Sequence, residues 1–316
     1  MPLKLCLIGA GHMGRIHAQK LARMKGVTLS CIVDTDAAQA EDTARRHGVP
    51  AADHYGRALA DGLQAAVIAS STETHYPLAR DLLERGVHVF IEKPVAARPA
   101  EARKLIALAR KHGLVLQVGH LERFSPPFRR ARATIRDPLF LEAHRVGPFT
   151  GRSTDIDVIH DLMIHDIDLV SSLARGHIIH VRARGTPVFT ERIDVAAARI
   201  EFTGGCVATL FASRVSATKE RLFRVFEKDR FYSLNLAAGE MFSVKKDKQG
   251  KPVARTYRAS RQDPVYDELR AFVRAIRQGS GALIDGEDGL RALILADRIT
   301  REIERHRSRE RAKLIE

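Results

Sequence analysis

The segment LKLCLIGAGHMG, residues 3–14, constrains this chain more than any other. Its apolar run 3–8 reads as a buried strand, and Gly9, Gly11 and Gly14 follow at the spacing G-x-G-x-x-G. Glycines at these positions allow a tight turn, close approach of a pyrophosphate to backbone N–H groups, and close packing of the helix that follows. The fingerprint alone is weak, and context strengthens it. A second apolar run, 28–33, ends at Asp34, 20 residues past Gly14. A carboxylate there accepts hydrogen bonds from adenosine ribose hydroxyls and repels the extra phosphate of NADP, and Thr35 and Asp36 supply no arginine to reverse that preference. The expected cofactor is NAD, held by Gly9, Gly11, His12, Met13, Gly14 and Asp34. The competing role for Asp34 is to cap a loop.

Further short apolar runs at 65–69, 87–91 and 115–118 alternate with amphipathic stretches at 13–23, 37–46, 76–85 and 99–111. Alternation of this kind predicts an α/β fold, a doubly wound parallel sheet with helices on both faces. Beyond Phe124 the texture changes. Pro126, Pro127, Pro138 and Pro148 punctuate the chain, and strand-like runs follow over 177–246, among them 177–183, 196–202, 206–213, 222–227 and 232–236. These predict an α+β domain built on a large, mainly antiparallel open sheet, one face of which needs cover from helices or another subunit. Helices over 264–278 and 287–305 close the chain. A length of 316 residues exceeds what one core usually serves, so two domains are expected: an NAD-binding Rossmann domain, 1–121, and a substrate-binding and oligomerisation domain, 122–316. The open sheet suggests a homodimer or homotetramer.

The formal charge of +14 raises the question of a polyanionic partner. Much of the excess lies along helices, as in 301–313, where Glu302, Glu304 and Glu310 interleave with the bases. That is the pattern of a solvated helix face, and no nucleic-acid module accompanies it. No apolar run approaches the roughly 20 residues of a membrane span, so no stable membrane insertion is expected and the compartment reads as cytoplasmic. Cys6, Cys31 and Cys206 lack the spacing of a metal knuckle or redox pair, and are expected as buried, reduced thiols.

Two motifs carry the chemistry. Glu92-Lys93-Pro94 follows the run 87–91, and residues 161–168 read DLMIHDID, an aspartate, a histidine four residues later and an aspartate three beyond that. Together they resemble the signatures of the glucose-fructose oxidoreductase, inositol dehydrogenase and rhizopine-catabolism (Gfo/Idh/MocA) family, with Met163 where glycine is often found. The resemblance covers almost the whole chain. It implies NAD-dependent oxidation of a sugar or polyol hydroxyl, with Glu92 and Lys93 beside the cofactor. The segments GHLERFSP (119–126), 139–158, 161–170 and ASRVS (212–216) are similar to the branch that oxidises the 3-hydroxyl of UDP-N-acetylglucosamine for diamino-sugar lipid A; Ser125 stands where asparagine is expected. A nucleotide sugar brings a diphosphate, for which Arg123, His144, Arg145, Arg152 and Arg214 are the candidate ligands. The rival readings are a dehydrogenase of a free sugar or inositol, and a non-catalytic NAD-binding regulator, against which the presence of both Lys93 and His165 argues.

Oxidising a secondary alcohol requires a base for the hydroxyl proton and a fixed aim of the carbinol hydrogen. If residues 161–168 are helical, Asp161, His165 and Asp168 fall at i, i+4 and i+7 and line one stripe. His165 is then the expected base, Asp161 orients it or binds substrate, and the Lys93 ammonium stabilises the developing alkoxide. A cis Lys93–Pro94 bond is expected to aim that ammonium. The hydroxyl-rich stretch 70–75 lies where strands end, so Ser70, Thr72 and His75 either contact cofactor or cap a helix starting near Tyr76. His160 and His165 are five residues apart, roughly 140° round a helix, and do not converge as a metal pair would; no metal is expected.

Overall fold

Strands covered on both faces must be apolar throughout, and the N-terminal ones are. In the computed structural model, which describes residues 1–151, 154–260 and 263–313, β1 (Leu3–Ile8), β2 (Val27–Val33), β3 (Ala51–Ala52), β4 (Ala65–Ile68), β5 (His88–Glu92) and β6 (Leu116–Gly119) form one parallel sheet in the order 3-2-1-4-5-6. The order reverses between β1 and β4, which opens a crevice at the carboxyl ends of the strands. Between the strands run α1 (His12–Leu21), α2 (Ala37–His47), α3 (Gly56–Ala60), α4 (Thr72–Glu84) and α5 (Pro99–Lys111). Gly48 ends α2 in the left-handed conformation, as its place after the helix predicts.

The chain divides into two units, and their membership differs from a single cut after residue 121. The first unit comprises Met1–Leu121 and Asp263–Leu290; the second comprises Glu122–Gln262 and the chain from Arg291 onward. Pro264–Gln278, a helix expected in the second domain, packs in the first through Leu269, Phe272 and Val273. Its amphipathic pattern shows that one stripe is buried but not which sheet that stripe covers.

The second unit holds α6 (Pro126–Arg132), β7 (Phe140–Val146), a π-helical turn (Ile159–Met163) that leads into α7 (Ile164–Leu173), and strands β8 (Ile178–Thr186), β9 (Val195–Phe202), β10 (Val207–Ser213), β11 (Glu220–Glu227), β12 (Arg230–Asn235), β13 (Glu240–Lys246) and β14 (Pro252–Arg258). α8 is the helix Pro264–Gln278 of the first unit, and α9 spans Gly286–Lys313. The eight strands order as 14-13-12-11-7-10-9-8, antiparallel except for the β7·β10 pair. β14 lies beyond the stretch, ending at Lys246, over which the sequence predicts strands. β14 is the edge strand and pairs with β13 through a turn at Asp247, whose carboxylate accepts from the Gln249 and Lys251 N–H groups while Gly250 takes a φ of 80°.

One face of this sheet is buried under helices, with Leu141, Ala143, Phe223, Val225 and Ile200 packed against Ile164, Ile167 and Ile299. The other face carries an apolar row at one register level: Val207, Phe140, Phe226, Phe231 and Val244. Phe140 in that row is 55% exposed. The three cysteines are buried and free, as expected. Among the described residues, no helix is long and apolar enough to cross a membrane.

Candidate active site

In the first unit the three fingerprint glycines answer to three separate demands. Gly9 sits at φ 100°, where a Cβ would also lie 2.6 Å from the Ala69–Ser70 backbone; a Cβ on Gly14 would lie 1.9 Å from the Gly9 carbonyl oxygen; a Cβ on Gly11 would project into open space. The turn therefore folds tightly on itself and leaves its outer side clear, ahead of the α1 N-terminus. Asp34 secures it from β2: Oδ2 accepts from the Ala10 N–H at 2.6 Å and Oδ1 from the Asp36 N–H at 2.9 Å. Asp34 thus caps the loop and also borders the cavity.

That cavity, 580 Å³, is lined by Gly9, Gly11, Asp34 and Ser70, and also by Asp53, His54, Tyr55 and Thr74. A dinucleotide's adenosine end fits it, with acceptors for ribose hydroxyls and a glycine face for pyrophosphate. His12 is exposed and Met13 half-buried on α1; neither lines the cavity. Thr72 starts α4 and gives its expected place to Thr74, whose hydroxyl lies 2.6 Å from that of Ser70. His75 turns inward and does not line this cavity. It is buried, its Nδ1–H donates to the Pro94 carbonyl at 2.8 Å, and burial pushes its pKa down. The missed residues Asp53, His54 and Tyr55 follow a strand of two residues, too short to leave a periodic signal.

Glu92 and Lys93 end β5. The Lys93–Pro94 bond is cis, as expected. Glu92 is buried; its Oε1 accepts from His17 Nε2–H at 2.7 Å and its Oε2 from the Lys93 backbone N–H at 3.2 Å. Burial works against its charge, but His17 and Lys93 outweigh it and hold the carboxyl below the usual range. Glu92 therefore sits beneath Lys93 as a charged support, not on the wall of the adenosine cavity.

In the second unit, Asp161 lies in the π-helical turn and His165 in the first turn of α7, both half-buried. The two therefore do not share one uninterrupted α-helix: Asp161 precedes the junction and His165 follows it. Asp168, expected on the same stripe, is buried and engaged: Arg123 meets it with two hydrogen bonds, 2.6 and 2.7 Å.

Two of the five diphosphate candidates serve internal pairs. Arg145 is buried with both faces of its guanidinium used, by Asp166 at 2.8 and 2.9 Å and by Glu122 at 2.8 Å. Burial opposes that charge, yet the two carboxylates raise its pKa above the ordinary arginine value. Arg214 donates to Asp194 at 2.7 Å and to the Ile156 carbonyl at 2.7 Å. A diphosphate at either would have to displace buried carboxylates. His144 alternates with Arg145 on β7 and so faces the other side of the sheet, against Phe211 and within 3.1 Å of Glu142. It is on the face opposite α7 and His165, which removes it from their surroundings. Arg123 retains 14% side-chain exposure beside Asp168. Arg152 lies outside the described residues. His160 is an anchor: its ring bonds Asp157 at 2.9 Å and Asp297 of α9 at 3.1 Å, and although burial disfavours the charge these bonds carry its pKa up to about 9.

A 3-2-1-4-5-6 parallel sheet, a glycine cradle backed by an aspartate, and a lysine at the end of the fifth strand define a nicotinamide-dependent dehydrogenase. Residues 3–120 match the model of an oxidoreductase family with an NAD-binding Rossmann fold, and residues 129–230 match the Gfo/Idh/MocA C-terminal domain. The chain is 36% identical over 299 residues to UDP-N-acetylglucosamine 3-dehydrogenase of Acidithiobacillus ferrooxidans, covering 92% of this chain and 94% of that one. A solved structure of that enzyme superposes with a TM-score of 0.90 at 34% identity, covering 96% of this chain and 98% of the other. Myo-inositol 2-dehydrogenase of Thermotoga maritima is 25% identical over 328 residues, 97% of this chain and 98% of its own. The chain belongs to the Gfo/Idh/MocA family and is an NAD-dependent oxidoreductase.

Proposed function

We propose that this enzyme oxidises the 3-hydroxyl of a UDP-sugar, UDP-N-acetylglucosamine, to the 3-keto nucleotide sugar. The observation that carries this reading is the full-length likeness to the Acidithiobacillus dehydrogenase, in sequence and in backbone. His165 is the proposed base: a neutral imidazole can accept the hydroxyl proton, and Asp161 orients the ring or the sugar. The Lys93 ammonium stabilises alkoxide character as the proton leaves. NAD, when bound on the glycine turn, supplies the ring that accepts the carbinol hydride. Arg123 and Arg152 are the remaining candidates for the diphosphate.

The carbonyl product suits transamination next, the step toward a diamino sugar for lipid A, and we place the reaction in the cytoplasm, where NAD and UDP-sugars meet. The apolar row on the open face of the second unit supports self-association through that face, as a dimer or tetramer. The test mixes protein, NAD and UDP-N-acetylglucosamine, with an aminotransferase to pull the equilibrium, and follows NADH absorbance. NADH formed with this sugar and not with free inositols is expected. No NADH from the coupled reaction rules the substrate out.

A further inference from the structure

Behind Lys93, the first unit buries an acid that the reaction as drawn does not use. Glu268 comes from α8, the helix that rejoins this unit late in the chain, and is fully buried. Neither of its carboxyl oxygens has a hydrogen-bond partner among the described residues. Three ligand atoms, one each from Glu268, Glu92 and His17, lie within 4.8 Å of one another. α1 contributes His17, with the Phe90 ring edge-on to it; β5 contributes Glu92 and Lys93; β6 contributes Gln117, which donates to the Glu268 backbone carbonyl at 2.8 Å. Gly119, paired with Glu92 across β5 and β6, keeps the space open, since a Cβ there would lie 3.1 Å from the Glu92 carboxyl.

Two carboxyl groups this close and shut off from water do not both ionise, because each charge pays for desolvation and repels the other. The charge goes to the better-supported group. Glu92 has the His17 N–H, the Lys93 backbone N–H and the Lys93 ammonium, whereas Glu268 has burial and the Glu92 charge against it, and both push its pKa up. Glu268 also breaks the apolar stripe of α8 between Val265 and Phe272, a position where an unpaired charge is not otherwise tolerated.

We propose that Glu268 is a neutral carboxylic acid at neutral pH, and that by holding this proton it keeps the cluster at a single negative charge, on Glu92, and so acts as a positioning residue for Lys93. The inference rests on Lys93 being the catalytic lysine. Loss of the Glu268 proton at alkaline pH places a second negative charge behind Glu92, redistributes the His17 and Lys93 contacts, and lowers the rate.

The primary test is infrared spectroscopy of the intact protein at pH 8, where ordinary carboxyls are ionised. The wild type is expected to show the carbonyl stretch of a protonated carboxyl, shifted in D₂O and absent from both E268Q and E268M. This arm needs no sugar, so it decides the proton whether or not the proposed substrate is correct. The second arm compares kcat/KM against pH for wild type and E268Q, with whichever sugar yields NADH. The amide keeps the site neutral, so E268Q should retain at least about threefold more of its maximal activity at the alkaline end, with KM for NAD unchanged. No protonated-carboxyl band, or a stoichiometric metal ion in the purified protein that E268Q lacks, overturns the proposal. A band with superimposable pH profiles overturns the link to Lys93.

Discussion

Replacing His160 by glutamine should remove a pH-dependent anchor from the second unit. His160 sits in the π-helical turn that bears Asp161 and leads to His165, and its two ring nitrogens tie that turn to Asp157 and to Asp297 of α9. Asp157 also accepts from the Thr300 hydroxyl at 3.3 Å, so one network joins the turn to α9. Only 21% of the His160 side chain is exposed, which limits solvent screening. The folded-state pKa of about 9 against an ordinary 6.5 corresponds to about 3 kcal/mol of stabilisation by the protonated ring. The folded state binds the proton more tightly than the unfolded state. The contribution is therefore complete below about pH 6.5 and disappears as pH rises through about 9. H160Q should be less stable than wild type by about 3 kcal/mol at pH 6, with the gap closing to about 1 kcal/mol by pH 10. Urea midpoints at each pH, with amide exchange of residues 157–173 read by mass spectrometry, measure it. A gap that does not change with pH would show that the ring is not held protonated by these carboxylates.

Gly14→Ala brings a Cβ to 1.9 Å from the Gly9 carbonyl oxygen, a clash between backbones that no side chain can relieve. It should weaken NAD binding at least about 100-fold, about 3 kcal/mol, by calorimetric titration, and near-wild-type affinity would contradict the tight-turn geometry. Phe231→Glu puts a charge into the apolar row on the open sheet face. Sedimentation should show a smaller assembly with unchanged circular dichroism; an assembly of unchanged mass would move the interface elsewhere.

Much of the candidate site is visible in local sequence. The glycine turn, Asp34, and the lysine and proline after β5 are features of one short stretch each, and their backbone demands follow from residue type alone. Long-range pairing is not visible in that way. Arg145 and Arg214 look like free cations for a diphosphate in the sequence, but their carboxylate partners Asp166 and Asp194 are about twenty residues away in the chain and meet them only through packing. His144 fails for a simpler reason: strand alternation sends it and Arg145 to opposite faces, and which face holds the helices depends on the whole sheet.

Local signals along the chain specify the Rossmann half, its NAD preference, the family, and the two residues proposed for proton handling, because strand periodicity, glycine conformation and short motifs are properties of a few neighbouring residues. Packing of distant segments settles that α8 returns to the first unit, that His17, Glu92 and Glu268 are buried together, and that Arg145 and Arg214 are already committed to carboxylates. Those outcomes turn on which groups lose water together, and desolvation is a property of the packed molecule.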